Sequence, residues 1–549
     1  MTVASDPGTR PASGGRISRV AAWIAVGLAA VTVVGHLAAR PSPDVAWNLY
    51  VTRSLLAGAR LGVDVFENTP PMIFLLKAPA VGLAELGGWR EWPVWVALVV
   101  AFVAAAVSLS FKLTLGPEWR PVFLRPWWAA ITTVTLIVVP GGDFGQRDHV
   151  TAILILPYLL LTARRAGGGT VSQGLAVLVG TMAAAGIGIK PHYVVLPVVL
   201  WLLLARRMGV GAIRTPESAA VCAVGAAYVV AVALLYPGYF AYAAAYGPLY
   251  QRFHTDFLLI AGAAPPIPVW AQAALSAGAM PAYVALGAYA AARAALWEDA
   301  RHPAAVLATA TGALLFVALI QGKGWWYHFF PSLTAATLLI VVLVASSAGR
   351  KLRPVARLYL ATGAGAIAVL VAAALPGVFL RVAHRGDARL NADRNLPQLL
   401  PLVAAVGDSG HVAVFSTNII SGFPLVLEGG SRWAFRHPSL WPLVALYEDQ
   451  VPGRTLITVR DYAARDGLER QFTQDIVDDL FRTKPDMLLV LRPDSTTTRW
   501  GGARRFDYLG YFATHPAFRD SVLPSYTAAG AVGDYDVYRR APKPRLTPE

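Results

Sequence analysis

About eleven apolar runs separated by short polar connectors fill the chain from residue 20 to residue 380: 20–39, 92–111, 127–140, 150–162, 171–189, 193–205, 219–236, 269–292, 304–320, 329–345 and 358–380. A helix crossing the hydrocarbon needs roughly 20 residues, with about 17 as a lower limit, so the runs at 127–140, 150–162 and 193–205 must borrow flanking residues. The pattern predicts a polytopic α-helical membrane protein of about eleven transmembrane helices. Its connectors alternate in kind. One set is basic: Arg10, Arg16 and Arg19; Arg120 and Arg125; Arg164 and Arg165; Arg206, Arg207 and Arg214; Arg293 and Arg301; Arg350, Lys351, Arg353 and Arg357. The positive-inside rule assigns these to the cytoplasm. The other set carries Asp44, Asp64 and Glu67; Asp143, Arg147, Asp148 and His149; Lys190 and His192; Arg252, His254 and Asp256; Lys323 and His328. It is expected to face outward. Arg40, Arg53, Arg60 and Arg90 in the first outward loop weaken the rule there without reversing it. An odd number of spans with a cytoplasmic N-terminus leaves the C-terminus extracytoplasmic.

Finer patterning divides the connectors. Within 40–91, a helix is expected over 44–59, with Ala46, Leu49, Tyr50, Leu55 and Leu56 near one face and Gly58 and Gly62 ending it. A second helix over 71–87 opens on a Pro pair and carries Lys77 and Glu85, so it should lie at the membrane surface. The stretch 237–268 reads as a long external loop rich in Tyr239, Tyr242, Tyr246 and Tyr250, whose aromatics suit either binding or an interfacial belt. From 381 the composition changes: this tail holds 19 of the 32 acidic residues and no run long enough to cross. Strand-like runs at 411–415, 487–491 and 534–538 and a helix-like run at 475–482 predict a soluble α/β domain. The expected division is a disordered cytoplasmic segment 1–19, a transmembrane module 20–380 and an extracytoplasmic α/β domain 381–549. The first run exceeds the roughly 7–15 residues of a signal core, so it reads as an uncleaved anchor.

Composition agrees: of 549 residues, 56% are hydrophobic and 14% charged, with mean hydropathy +0.51. The net charge of +15 raises nucleic acid as a partner, but the basic residues form no stripe. They sit at helix ends, where they set topology and meet anionic lipid, so no nucleic-acid partner is expected. The single Cys222 excludes an intramolecular disulfide and a zinc site of several cysteine ligands, and reads as a small buried hydrophobe.

Several outward residues have the chemistry of a site. Asp44 stands just past the first span, either as an N-cap or as a general base at the bilayer surface. Asp64, Glu67 and Asn68 precede Pro70 and Pro71, and suit sugar hydroxyls, a metal or a solvated turn. The stretch from Gly141 through Asp143 to His149 opens a helix, and free N–H groups there favour an anion, with Arg147 and His149 reinforcing it. A surface network of Arg147 with Asp148 is the alternative. Lys190 and His192 separate two runs with almost no loop, and Lys190 could instead snorkel to the interface. Lys323 and His328 flank Trp325, Trp326 and Tyr327; Arg252, His254 and Asp256 lie in the Tyr-rich loop and could close over a phosphate.

An acid soon after the first span, a short external helix, then an acidic or amide residue before Pro-Pro resembles the layout of family-39-like GT-C membrane glycosyltransferases. These include protein O-mannosyltransferases and lipid A aminoarabinose transferases. The resemblance reaches to about residue 380 and is strongest over 40–90. It implies transfer of a sugar from a polyprenyl-phosphate carrier on the outer face, with the first-loop acid as catalytic residue; only Asp44 occupies that place. Many relatives have two adjacent acids where this chain has Asp44 and Val45, so a divalent metal is left open and no cofactor is assigned.

The expectation is therefore a GT-C-like, inverting glycosyltransferase of a bacterial-type plasma (inner) membrane. Asp44 is the catalytic candidate. Arg147, His149, Lys190, His192, Arg252, Lys323 and His328 are candidates for the donor phosphate, and Asp64, Glu67, Asn68 and Asp143 for the acceptor or sugar. The expected partners are a polyprenyl-phosphate sugar donor, membrane lipids, and a glycan, lipid or protein acceptor. A transporter or flippase of lipid-linked glycans is the alternative; it would place several charges inside the spans near the midplane.

Overall fold

A computed structural model describes residues 13–115, 124–252, 274–296, 298–323, 325–347, 351–383, 395–447, 450, 456–493 and 506–541. Where the apolar runs are described, helix occupies most of each. In chain order the first ten helices are α1 (Ser13–Ala38), α2 (Pro43–Leu56), α3 (Met72–Gly87), α4 (Glu91–Leu113), α5 (Leu124–Ile137), α6 (Arg147–Ala166), α7 (Gln173–Ile189), α8 (Val195–Met208), α9 (Pro216–Leu235) and α10 (Pro237–Arg252). They are followed by α11 (Met280–Ala292), α12 (Glu298–Ile320), α13 (Phe330–Ser346) and α14 (Pro354–Ala383). Among the described residues six segments are long and apolar enough to cross a membrane, or seven if α1 and α2, bent by 64°, form one broken span. The others are shorter or carry charged ends, as the brevity of several runs foreshadowed.

Burial sorts these helices. α13 is enclosed almost completely, whereas α9 and α14 bury little of their apolar surface. The hydroxyls on α13 remain compatible with that enclosure because Ser332, Thr334 and Ser346 donate to carbonyls three or four residues back. Gly180 lets α7 and α9 touch: a Cβ there would come within 2.4 Å of the Glu217 carbonyl oxygen. Glu217 also takes a salt bridge of 2.9 Å from Arg165 at that end. Cys222, expected to be buried, is instead exposed on α9, which buries little of its apolar surface.

The first-loop helices appear nearly as the pattern predicts, and Gly58 and Gly62 take positive φ values of 95° and 79° where α2 ends. The expected loop at 237–268 is corrected in its first half. Residues 237–252 form α10, with Tyr239, Tyr242, Tyr246 and Leu249 buried along it. Burial in protein leaves those tyrosines no role as an interfacial belt. His254 and Asp256 lie outside the described residues.

The C-terminal region is an α/β unit. Its helices are α15 (Leu396–Ala404), α16 (Leu425–Gly429), α17 (Pro442–Leu446), α18 (Gly467–Thr483) and α19 (Tyr508–Ala513). Its strands β1 (His411–Phe415), β2 (Arg432–Trp433), β3 (Met487–Leu491), β4 (Tyr526–Val532) and β5 (Tyr535–Arg540) are ordered β2-β1-β3-β5-β4. The first three run parallel, and β5 and β4 add an antiparallel hairpin. α18 starts on a capping bond from the Glu469 N–H to the Asp466 side chain, 3.1 Å.

This unit docks on the first loop and on α10. Glu428 of α16 takes Arg40 at 2.6 Å and Arg90 at 3.1 Å. The Trp433 N–H donates to the Tyr50 hydroxyl at 2.9 Å, and the Phe66 N–H to the Arg436 carbonyl at 2.8 Å. The Tyr246 hydroxyl reaches Asp475 at 3.3 Å. The helix that carries Asp44 is thus held from above.

Candidate functional site

α2 begins at Pro43, with Ser42 as the N-cap residue and no side-chain capping bond. Asp44 is therefore inside the first turn, so its expected role as a cap falls away, although its charge still suits the positive end of the helix dipole. Its carboxylate turns toward residues far away in sequence. Oδ2 accepts from Gln146 Nε2 at 2.9 Å and from the Tyr327 hydroxyl at 3.4 Å, and lies 3.8 Å from Arg147 Nη2. The Asp44 side chain is 29% exposed and that of Arg147 12%. One side of the carboxylate is held and the other is open, which a group meeting a substrate requires.

Arg147 is the first residue of α6, with Gln146 as its N-cap residue. Gly145, at φ 75°, makes the sharp entry into that helix, and a Cβ there would meet the Trp95 indole nitrogen at 2.5 Å. Arg147 Nη1 donates to the Thr69 hydroxyl. Its Nε is buried without a partner. Asp148 does not pair with Arg147, so the alternative of an Arg147–Asp148 surface network falls away. It is fully buried and takes both Lys190, at 2.7 and 3.0 Å, and the Tyr193 hydroxyl, at 2.5 Å.

Two candidate phosphate ligands are thereby engaged within the protein. Lys190 Nζ gives its remaining contact to Gln321 Oε1 at 2.8 Å, so its three N–H groups are occupied within the protein and it does not snorkel. His149 is buried, accepts from the Gly145 N–H at Nδ1 (2.9 Å) and donates from Nε2 to the Leu136 carbonyl (2.7 Å). Neither ring nitrogen is left for a phosphate.

Lys323 Nζ caps the end of α10, donating to the Tyr250 carbonyl at 2.5 Å and lying 4.4 Å from that ring. Burial brings its ammonium down to about 8. His328 is buried with Nδ1 unpartnered, its ring edge-on to Tyr327, the residue that reaches Asp44. His192 is exposed in the short turn before α8. The side chain of Arg252 lies outside the described residues.

The first-loop acids separate. Asp64 is tied to Arg60, through the backbone N–H and Nε, both at 2.9 Å, and closes a surface turn. Arg60 holds the Asp64 carboxyl below its usual range. Glu67 turns inward to accept from Thr69 and Trp47. Asp64 and Glu67 therefore do not act as a carboxylate pair. Asn68 lies close by with a buried, unpartnered Oδ1, and Asp143 sits in the turn before α6. Among the described residues no three His, Cys, Asp or Glu side chains group as a metal site.

The sequence reading missed Gln146, Thr69 and the Tyr327 hydroxyl, which hold Asp44 and Arg147. It also placed Lys77 at the membrane surface. Lys77 is buried, with no hydrogen-bond partner and its ammonium 4.2 Å from the Trp95 ring centroid.

Over 97% of its length this chain superposes on 99% of the crystal structure of ArnT from Cupriavidus metallidurans bound to undecaprenyl phosphate, with a TM-score of 0.52 and 14% sequence identity. The fold is GT-C-like. The cryo-EM structure of the arabinofuranosyltransferase AftD from Mycobacteria aligns with 96% of this chain and 40% of its own, at 15% identity and a TM-score of 0.48, too loose a likeness to add weight. No protein-family model and no curated protein matches the sequence. The ArnT likeness covers the C-terminal unit as well as the helices.

Proposed function

We propose that this chain is an inverting membrane glycosyltransferase. It would move a sugar from a polyprenyl-phosphate-linked donor to an acceptor hydroxyl on the extracytoplasmic face of a plasma membrane. The observation that carries this reading is the meeting of a half-open Asp44 carboxylate with Arg147 across α2 and α6. That the similarly folded ArnT is bound to undecaprenyl phosphate supports a polyprenyl carrier.

Asp44 takes the proton of the acceptor hydroxyl as that oxygen bonds to the anomeric carbon. The bond from the anomeric carbon to the phosphate oxygen breaks, and its electron pair leaves with the phosphate. The departing polyprenyl phosphate carries one more negative charge than the diester did. Arg147 stabilises that charge as it develops, when fixed donors are most effective. Lys323, buried at the end of α10, adds positive charge near the same anion, and His328, with Nδ1 buried and unpartnered beside Tyr327, suits a further contact. Asn68 Oδ1, buried without a partner, suits a sugar hydroxyl. The C-terminal unit shapes the approach of the acceptor and takes no part in the bond changes.

The test supplies the purified protein with a panel of polyprenyl-phosphate hexoses and pentoses, and measures release of polyprenyl phosphate. Mass spectrometry of cell-envelope glycans and lipids, with and without the protein, identifies the acceptor. Asp44→Asn should lower turnover by roughly 10²–10⁴, the usual contribution of a general base, with the fold intact. Turnover near wild type in that variant would remove Asp44 from the reaction. Absence of release from every donor would refute the reading.

A further inference from the structure

Asp44 and Arg147 have opposite charges, lie side by side, and yet stand 3.8 Å apart. Unrestrained, such a pair closes to a bidentate contact at about 2.7–2.9 Å. That contact would occupy both the base and the phosphate ligand. A specific set of bonds opposes closure. The Thr69 hydroxyl accepts from Arg147 Nη1 and donates its one hydrogen to Glu67 Oε1, at 2.8 Å. Glu67 Oε1 also accepts the Thr69 N–H at 2.8 Å, and Oε2 accepts the Trp47 indole N–H at 2.5 Å. Three donors therefore converge on Glu67, and only a carboxylate, with acceptors at both oxygens and no donor, satisfies them all. Because Glu67 takes the hydroxyl hydrogen, the Thr69 oxygen can present only lone pairs to Arg147. Trp47 in turn packs edge-on against Phe423 of the docked C-terminal unit, with ring centroids 5.0 Å apart.

We propose that Glu67 and Thr69 are positioning residues that hold the Arg147 guanidinium off Asp44 and aim it at the donor phosphate, with Trp47 anchoring them to the C-terminal unit. This rests on the reading of Asp44 and Arg147 given above. Glu67 then contributes through Arg147, without touching sugar or metal.

The test compares Thr69→Val, Thr69→Ser, Glu67→Gln and Arg147→Lys for donor KM, kcat and thermal stability. Val matches Thr in shape but cannot accept from Arg147; Ser keeps the hydroxyl. Thr69→Val should raise donor KM about tenfold, the scale of one charge-assisted hydrogen bond, and Thr69→Ser should restore it to within about twofold of wild type. Glu67→Gln, which turns an amide donor toward Trp47 or Thr69, should raise donor KM in the same direction. Combined with Arg147→Lys, Thr69→Val should add little further. Should Thr69→Val fail to fold, the Ser and Gln variants decide: wild-type donor KM in Glu67→Gln overturns the proposal. So does a Thr69→Val protein with unchanged KM, or one whose loss Ser does not rescue. If Arg147→Lys itself leaves donor KM unchanged, the reading of the phosphate site fails first; if it raises KM while the Thr69 and Glu67 variants do not, only the positioning role fails.

Discussion

Removing one member of the Asp148–Lys190 pair should destabilise the protein strongly, whereas removing both should cost no more than removing either. Asp148 has no exposed surface and the Lys190 side chain is 9% exposed. Breaking a buried pair typically costs about 3–5 kcal/mol because the remaining charge is left uncompensated, while replacing both partners by neutral groups can be nearly neutral. Lys190→Met leaves Asp148 the Tyr193 hydroxyl, and Asp148→Asn leaves Lys190 the Gln321 amide oxygen. Each single variant therefore belongs near the lower end, about 3 kcal/mol. The double variant should lose no more than that, a coupling of about 3 kcal/mol. Denaturant unfolding in micelles, followed by tryptophan fluorescence under conditions where refolding is complete, supplies the four free energies. Additive losses, or either single variant within about 0.5 kcal/mol of wild type, would refute the buried-pair account. A second arm concerns function. Because all three Lys190 N–H groups are occupied internally, the folded Lys190→Met protein should keep donor affinity within about twofold of wild type, and a tenfold loss would return Lys190 to the phosphate site.

Lys323→Met should weaken donor binding non-additively with Arg147→Lys, measured directly in nanodiscs. Burial brings the Lys323 ammonium to about 8, so its attraction for phosphate should be full below that pH and decline as pH rises through it, with the Met variant lacking this step. Orientation is tested in a Cys222→Ala background by placing a cysteine at exposed Ser521 in the C-terminal unit or at exposed Ser172 beside Arg164 and Arg165. An impermeant maleimide on intact cells should label position 521 and spare 172, and the reverse result would overturn the assigned face.

Helices were legible wherever apolar runs were long, because burial in lipid or protein imposes one pattern on every turn. The tyrosines of α10 were legible too, had their period been weighed above their neighbouring prolines. Tyr239, Tyr242 and Tyr246 recur at three and four residues, the spacing of one helix face. Strands β1 and β3 showed as short apolar runs because the sheet buries both their faces. β2 has only two residues, and β4 is mostly exposed, so neither carries a hydrophobic signal to read.

What the sequence does not carry is the partners of the candidate residues. Asp44 and Gln146 stand 102 positions apart, and nothing in either stretch names the other. Arg147 and Asp148 show why proximity in sequence misleads: successive helical residues point about 100° apart, so one side chain faces Asp44 while the next turns into the bundle toward Lys190. A cation at the outer end of a span can equally bind a ligand or lock helices together, and its charge alone does not distinguish the two. The unoccupied donors do. Lys190 has three N–H groups and three internal acceptors. Arg147 has five N–H groups, of which one meets Thr69 and one faces Asp44 across 3.8 Å, while Nε has no partner at all. A largely buried guanidinium with donors left over is costly unless an anion completes it, and for that reason the proposal gives the phosphate to Arg147 rather than to Lys190.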